Sequence, residues 1–161
     1  SNDASMLKLW DLDDDVGYSG GEDDHYDWDT ELLRSVPWRE FLIAELDDVP
    51  IGMVVLIDVL REESRYWGGD APRDSWAIDI WIGAAEHRSR GYGTAMMKKA
   101  LDRCFGHHGA SCVLIDPLRS NLRAIAFYRR LGFRDVGPRR FGGDDCLVMA
   151  VGPDWMRSPR G

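Results

Sequence analysis

Asp79 is the lone carboxylate in an otherwise apolar stretch, WAIDIWIG at 76–83. On residue type alone it reads as a buried, hydrogen-bonded structural Asp. Its other reading is a general base. The stretch runs on as IWIGAAEHRSRGYGT at 80–94, an apolar strand leading through a glycine-punctuated loop into an amphipathic helix. Gly91 and Gly93 carry no Cβ, so the backbone there can turn tightly, approach a ligand and aim its N–H groups at anionic oxygens. The helix that follows adds the positive end of its dipole and its unpaired first-turn donors. Arg88 and Arg90 stand beside that nest and offer charge-assisted hydrogen bonds. The chemistry offered is diphosphate binding. Downstream, Tyr128 lies seven residues after Asn121, hence on the same face of one helix. A phenol there is either a core aromatic or a proton donor, and Asn121 is either a helix-start polar residue or a ligand contact. Asp116 precedes Pro117, where it can form a turn or present a carboxylate at the end of a strand.

These groups need a frame, and the apolar pattern supplies one. FLIAEL at 41–46 and IGMVVLIDVL at 51–60, separated by DDVP, predict an antiparallel hairpin. WAIDIWIG, apolar on both faces, predicts a central strand covered on both sides. The helix expected over 93–105 puts Met97, Leu101, Cys104 and Phe105 on one side and Lys98, Lys99, Asp102 and Arg103 on the other. SCVLID at 111–116 predicts a short buried strand. Ser120 is the expected cap of a helix over 121–131 that Gly132 stops. FRDVGPRRF and DDCLVMAV, joined by Gly142 and Gly143, predict a last hairpin. The two strands flanking the first long helix belong to one crossover unit and should be parallel neighbours. Residues 6–12 predict a helical turn or short strand, and 13–30 an acidic loop. Ser1 to Ser5 is set aside as a non-native leader.

The chain has 161 residues, enough for one domain and short for two. Hydrophobic residues make up 44% and bulky aromatics are plentiful, which excludes wholesale disorder. No run is long and apolar enough to span a bilayer and the N-terminus does not read as a signal peptide, so the expectation is a cytoplasmic protein without membrane association. Cys104, Cys112 and Cys146 contain no C-x-x-C pair and read as reduced core thiols; with His107 and His108 they lack the spacing of a four-ligand metal site. A net charge of −8 argues against nucleic-acid binding. The charge is divided unevenly: between Asp11 and Glu31 there are ten carboxylates and no Lys or Arg, whereas from Arg88 to Arg140 twelve basic residues face three carboxylates. The acidic segment is either a solvated loop or a field that attracts a cationic substrate.

Two nucleotide fingerprints fail at the glycine-rich turn. The G-x-x-x-x-G-K-[ST] pattern is absent, and Met96 stands where a dinucleotide fold needs a third small residue. What remains, Arg88-x-x-Gly91-x-Gly93 after a strand, resembles the acetyl-coenzyme A pyrophosphate loop of the GNAT superfamily of N-acetyltransferases. SNLRAIAFYRRLGF at 120–133 is similar to that family's later helix. The resemblance covers roughly residues 38–150 and is sharpest to the branch that includes aminoglycoside 6′-N-acetyltransferases. It rests on Tyr66-Trp67, Ala77-Ile78-Asp79, Ile115-Asp116-Pro117 and the run Ser120 to Ile125. The N-terminal region departs from it: MLKLWDLDDDV resembles the end of the family's first helix with no strand before it.

The resemblance implies an α+β GNAT fold, a mixed and mostly antiparallel central sheet with one parallel, splayed strand pair and flanking helices. It implies direct acetyl transfer from acetyl-CoA, as co-substrate and without a metal, to a small cationic amine. In that reading Asp79 is the general base and Tyr128 the general acid for the coenzyme A thiolate. Backbone donors at Trp81 and Ile82 polarise the thioester carbonyl. Arg88, Arg90, Gly91, Gly93 and Thr94 hold the coenzyme's diphosphate and Asn121 its pantetheine arm. Tyr66, Trp67 and Asp116 contact the acceptor, with Glu62 and Glu63 adding acidic surface. A peptide or protein N-acetyltransferase and a non-catalytic acyl-CoA-binding module are the rival readings. Exposed edge strands permit either a monomer or a homodimer.

Overall fold

The computed structural model describes residues 2–11, 26–83 and 91–157. Six strands form one sheet in the order β1-β2-β3-β4-β6-β5, with β1 at Arg39–Leu46, β2 at Val49–Asp58, β3 at Ser75–Ile82, β4 at Cys112–Ile115, β5 at Arg134–Phe141 and β6 at Asp144–Val151. The helices are α1 (Asn2–Asp11), the single turn α2 (Trp28–Glu31), α3 (Tyr92–Asp102) and α4 (Leu122–Arg130). β3 and β4 are the parallel pair, and the other neighbours run antiparallel. The expected order of hairpin, strand, helix, strand, helix, hairpin is therefore the observed one. Among the described residues, no helix is long and apolar enough to cross a membrane.

The first hairpin is tighter than its sequence suggests. Asp47 and Asp48 alone make the turn, with φ of 50° and 65°, the left-handed pair that a two-residue connection requires and that Asp tolerates. Val49 and Pro50 thus belong to β2. Pro50 sits opposite Glu45 at a register shift, a place where a missing N–H interrupts the ladder least. β2 is buried on both faces because successive side chains point opposite ways. Val54 and Leu56 meet the cluster under α3 and α4 that includes Met97, Leu101, Ile125 and Phe133. Met53 and Val55 meet Leu7 and Trp10 of α1 and Trp28 of α2.

Three local expectations need correction. Of the residues set aside as a leader, Asn2 to Ser5 are helical, and Ala4 is 2% exposed against the sheet. The end of the expected acidic loop is the α2 turn, which Trp28, 1% exposed, pins to the core; Leu12 to His25 lie outside the described residues. Asn121, rather than Ser120, caps α4: its Oδ1 accepts the Ala124 N–H at 3.1 Å, and Gly132 ends the helix region at φ 104°.

The helix expected over 93–105 is α-helical only to Asp102. It continues as a π turn, Arg103–His107, closed by the His108 N–H donating to the Arg103 carbonyl at 3.1 Å. Glu40 of β1 draws both ends of that turn to itself. Its carboxylate accepts from Arg103 Nε at 2.9 Å and Nη2 at 2.6 Å, and His108 Nε2 lies 2.5 Å away. His108 also stacks on Trp76 at 4.0 Å. Arg103, first in cause, holds the Glu40 carboxyl down at about 2, and burial pushes the Cys104 thiol up to about 12. These residues fasten α3 to β1.

At the other end of β3, Gly83 makes room for Trp10. A Cβ on Gly83 would fall 1.8 Å from Trp10 Cε2, so α1 docks where only hydrogen fits. Gly83→Ala is expected to lower stability by about 1–3 kcal/mol, read as a drop in the denaturant midpoint with an unchanged slope.

Candidate active site

The site follows from where a ladder stops. β3 and β4 pair only from Ser75↔Cys112 to Ala77↔Leu114, and beyond that the two strands part. Ala77 and Leu114 share one face in a common apolar cluster. With a side-chain period of two, the next residues on that face are Asp79 and Asp116. On one side of them lies the cluster of Trp67, Ala77, Leu114 and Phe141. On the other lies that of Met53, Val55 and Trp28, with Trp81 at its margin. A pocket of about 160 Å³ fills the interval, with Tyr26, Arg39, Glu62, Tyr66, Asp79 and Asp116 among its walls.

Each polar wall is held by a definite partner. The Tyr66 hydroxyl donates to Asp116 Oδ2 at 2.5 Å, and its ring lies flat on Phe141 at 4.4 Å. The Tyr26 hydroxyl donates to Asp79 Oδ2 at 3.3 Å, and its ring stacks on Trp28 at 4.9 Å. Glu62 accepts the backbone N–H groups of Ser64 at 2.7 Å and Tyr66 at 3.0 Å, which shapes the loop carrying Tyr66. Arg39, a cation in an acidic pocket, is neutralised by Glu31 at 2.6 Å and covers the ring of Phe41.

Burial pushes the Asp79 carboxyl up to about 6 against the opposing Tyr26 hydrogen bond. Asp116 rises to about 7, first from burial and then from the charge of Asp79, against the Tyr66 bond. Tyr128 is also pushed upward, by burial and then by both carboxylates. Its ring packs on the opposite side of the sheet beside Phe133, so the charges reach it through the opening between β3 and β4. Two carboxyls that change charge near neutrality beside a phenol that stays protonated form a set of proton acceptors and a proton donor.

The same arrangement costs stability in a defined pH window. Both carboxyls hold their protons more firmly in the fold than in the unfolded chain, so the folded state binds more protons between the ordinary carboxylate range and about 7. Stability is therefore highest below that window and falls as pH rises through it. Asp116→Asn removes part of this slope and is expected to stabilise the fold at pH 8 by about 1–2 kcal/mol, after discounting for a pocket half open to water. Denaturation at pH 5 and pH 8 checks it, above the range where Glu40 titrates.

The other expected site residues fall as follows. Trp81 and Ile82 lie on β3 past its last β4 partner and pair only with Met53 and Gly52 of β2. The Trp81 indole is packed 5.9 Å from Trp28, and its buried Nε1 has no partner among the described residues. Gly91 starts α3 at φ 80°, a conformation that favours glycine. At Gly93 a Cβ would make only ordinary contacts within the protein, 3.6 Å from Phe127 and 3.7 Å from Ile82. Gly93 and Thr94 occupy the first turn of α3, while Arg88 and Arg90 lie outside the described residues. Asn121 is a buried helix cap. Trp67 is 4% exposed and mostly core, whereas Tyr66 is 40% exposed. Glu63 is turned to Arg34, at 2.7 Å. Tyr26 and Arg39 escaped the sequence reading. The signal was two aromatics, Tyr26 and Trp28, inside an acidic run, a composition that a fully solvated loop lacks.

A family model described as an acetyltransferase (GNAT) domain matches residues 1–141. The chain belongs to the GNAT acetyltransferase family. The match takes in the N-terminal region as well as the core of the resemblance. Among curated relatives of this GNAT acetyltransferase, the aminoglycoside N(6′)-acetyltransferase type 1 of Klebsiella pneumoniae is 28% identical over 143 residues, covering 84% of this chain and 71% of the relative. The structure of AAC(6′)-Ib in complex with ribostamycin and coenzyme A superposes with a TM-score of 0.83 at 24% identity, covering 99% of this chain and 93% of the other. The same enzyme with coenzyme A and kanamycin gives 0.82 at 22% identity, covering 99% and 95%. The GNAT fold of the chain, its parallel strand pair included, is that of these structures.

Proposed function

We propose that this acetyltransferase is a single catalytic domain that moves the acetyl group of acetyl-CoA to a primary amine of an aminoglycoside or a similar small polycation, in the cytoplasm. The observation that carries the reading is the pair Asp79 and Asp116, two proton-accepting carboxylates in one aromatic-walled pocket, with the protonated Tyr128 on the other side of the sheet and within reach of their charges. A polycation suits such walls, since its ammonium groups pair with carboxylates and its body packs on aromatic rings. The names of the relatives agree with that substrate class.

Asp116 and Tyr66 bind and orient the acceptor, and Asp79 takes a proton from its attacking amine. The neutral nitrogen adds to the thioester carbonyl carbon, whose oxygen gains charge beside the Trp81–Ile82 stretch of β3. The Gly83 N–H donates to the Ile51 carbonyl of β2, so by alternation the Trp81 N–H also points to β2 and the Ile82 N–H is the donor that faces the opening. Donors already fixed in a strand need no reorganisation as that charge develops. The carbon–sulfur bond then breaks, Tyr128 protonates the departing sulfur, and the products are an amide and free coenzyme A. Gly91, Gly93 and Thr94 at the start of α3, with Arg88 and Arg90, hold the diphosphate of the donor, and Asn121 holds its pantetheine arm through the amide nitrogen that capping leaves available. A pocket of about 160 Å³ walled by the loop bearing Tyr66 and the segment bearing Tyr26 suits a small acceptor better than a polypeptide.

Thiol release from acetyl-CoA, measured across a panel of aminoglycosides, polyamines and peptide N-termini, tests the reading. Turnover confined to the polycationic amines supports it. Turnover with peptides alone, or with no amine despite coenzyme binding, overturns it.

A further inference from the structure

Asp79 has one hydrogen-bond donor among the described residues, and it comes from far away in the chain: Tyr26, 53 positions earlier, just before α2. The ring of Tyr26 is held on two sides, stacked on Trp28 at 4.9 Å and edge-on to Phe41 at 5.8 Å. Trp28 is itself 1% exposed, so the phenol projects from a fixed support into the acceptor pocket. We propose that Tyr26 is a positioning residue for the reaction, its hydroxyl orienting the Asp79 carboxylate and holding it ready for the acceptor's proton. This rests on the assignment of Asp79 as the base. Asp116 is held differently. Tyr66 grips that carboxylate at 2.5 Å, whereas Tyr26 stands 3.3 Å from Asp79. Catalytic hydrogen bonds are often long before substrate binds and tighten afterwards, so a 3.3 Å separation is compatible with that role.

Among the described residues, the charged and titratable groups around Asp79 are Tyr26, Asp116 at the end of β4, Tyr128 on α4, Glu62 and Tyr66 of the 59–74 loop, and Arg39 of β1, which Glu31 neutralises. Of these, Tyr26 opposes the protonation of Asp79 by a direct hydrogen bond. Tyr26→Phe removes that bond and keeps the ring against Trp28.

The experiment is the pH profile of kcat/KM for the best amine of the panel, for the wild type, Tyr26→Phe and Asp79→Asn. Tyr26→Phe is expected to move the acidic limb upward by about one pH unit, giving a roughly fivefold loss at pH 6 that approaches about tenfold below pH 5, and near wild-type turnover at pH 9. The acceptor's own ionisation is common to all variants, so a shift belongs to the protein. If Tyr26→Phe does not fold, Tyr26→Leu, whose side chain has no hydrogen-bond donor, supplies the same test. An unmoved limb, with rates unchanged or lowered equally at every pH, overturns the inference while Asp79→Asn remains inactive. Wild-type turnover in Asp79→Asn overturns the assignment of the base and this inference with it.

Discussion

Asp79→Asn is expected to reduce turnover by about 10²–10⁴-fold, the usual contribution of a positioned base. The substitution keeps the shape of the side chain and a partner for the Tyr26 hydroxyl, so the sheet and the pocket survive it. What disappears is the acceptor for the amine's proton. The wild type should lose activity as pH falls through about 6, where Asp79 becomes protonated. The variant should have lost that limb, and its residual rate should go on climbing with pH as the fraction of neutral amine in solution grows. Steady-state thiol release between pH 5 and pH 9 reads both features. A rate within threefold of the wild type would leave Asp79 a binding group only, holding an ammonium by charge.

Tyr128→Phe is expected to lower kcat by about 10²-fold with little change in either KM. The ring packs with Phe127 and Phe133, so losing the hydroxyl leaves the aromatic contacts in place and acts on the chemistry alone. Burial and the two neighbouring carboxylates all raise its affinity for protons, so the phenol is a donor throughout the working range and adds no alkaline limb of its own. The specific signature is rescue: an acetyl thioester with a more acidic thiol needs less help in leaving and should narrow the gap between variant and wild type. A constant ratio across thiols would make Tyr128 a packing residue.

Much of this architecture is legible in the order of residues because short-range rules govern it. The apolar runs, the existence of the first hairpin and the periodicity of α3 report elements whose causes lie within a few positions. Asp79 is equally visible, since one carboxylate within an apolar strand has few explanations. The misses have long-range causes. Whether Ser120 or Asn121 caps α4 depends on which one the loop after β4 brings to the helix axis. The π turn at Arg103 to His107 exists because Glu40, 63 residues earlier than Arg103, binds both of its ends. Tyr26 and Arg39 reach the site only after α2 has been pinned by Trp28, and a composition dominated by carboxylates hides that anchor.

The early end of the β3–β4 ladder also sets the mechanics of the molecule. Three residue pairs join the β1–β3 half of the sheet to the β4–β6 half, and β4 is held on its far side by three more, whereas β3 is fastened to β2 by seven. One wall of the opening is stiff and the other narrowly attached. The seam along which this sheet would first come apart therefore ends at Asp79 and Asp116, and the fold's mechanical fault line coincides with the place where its chemistry is proposed to occur.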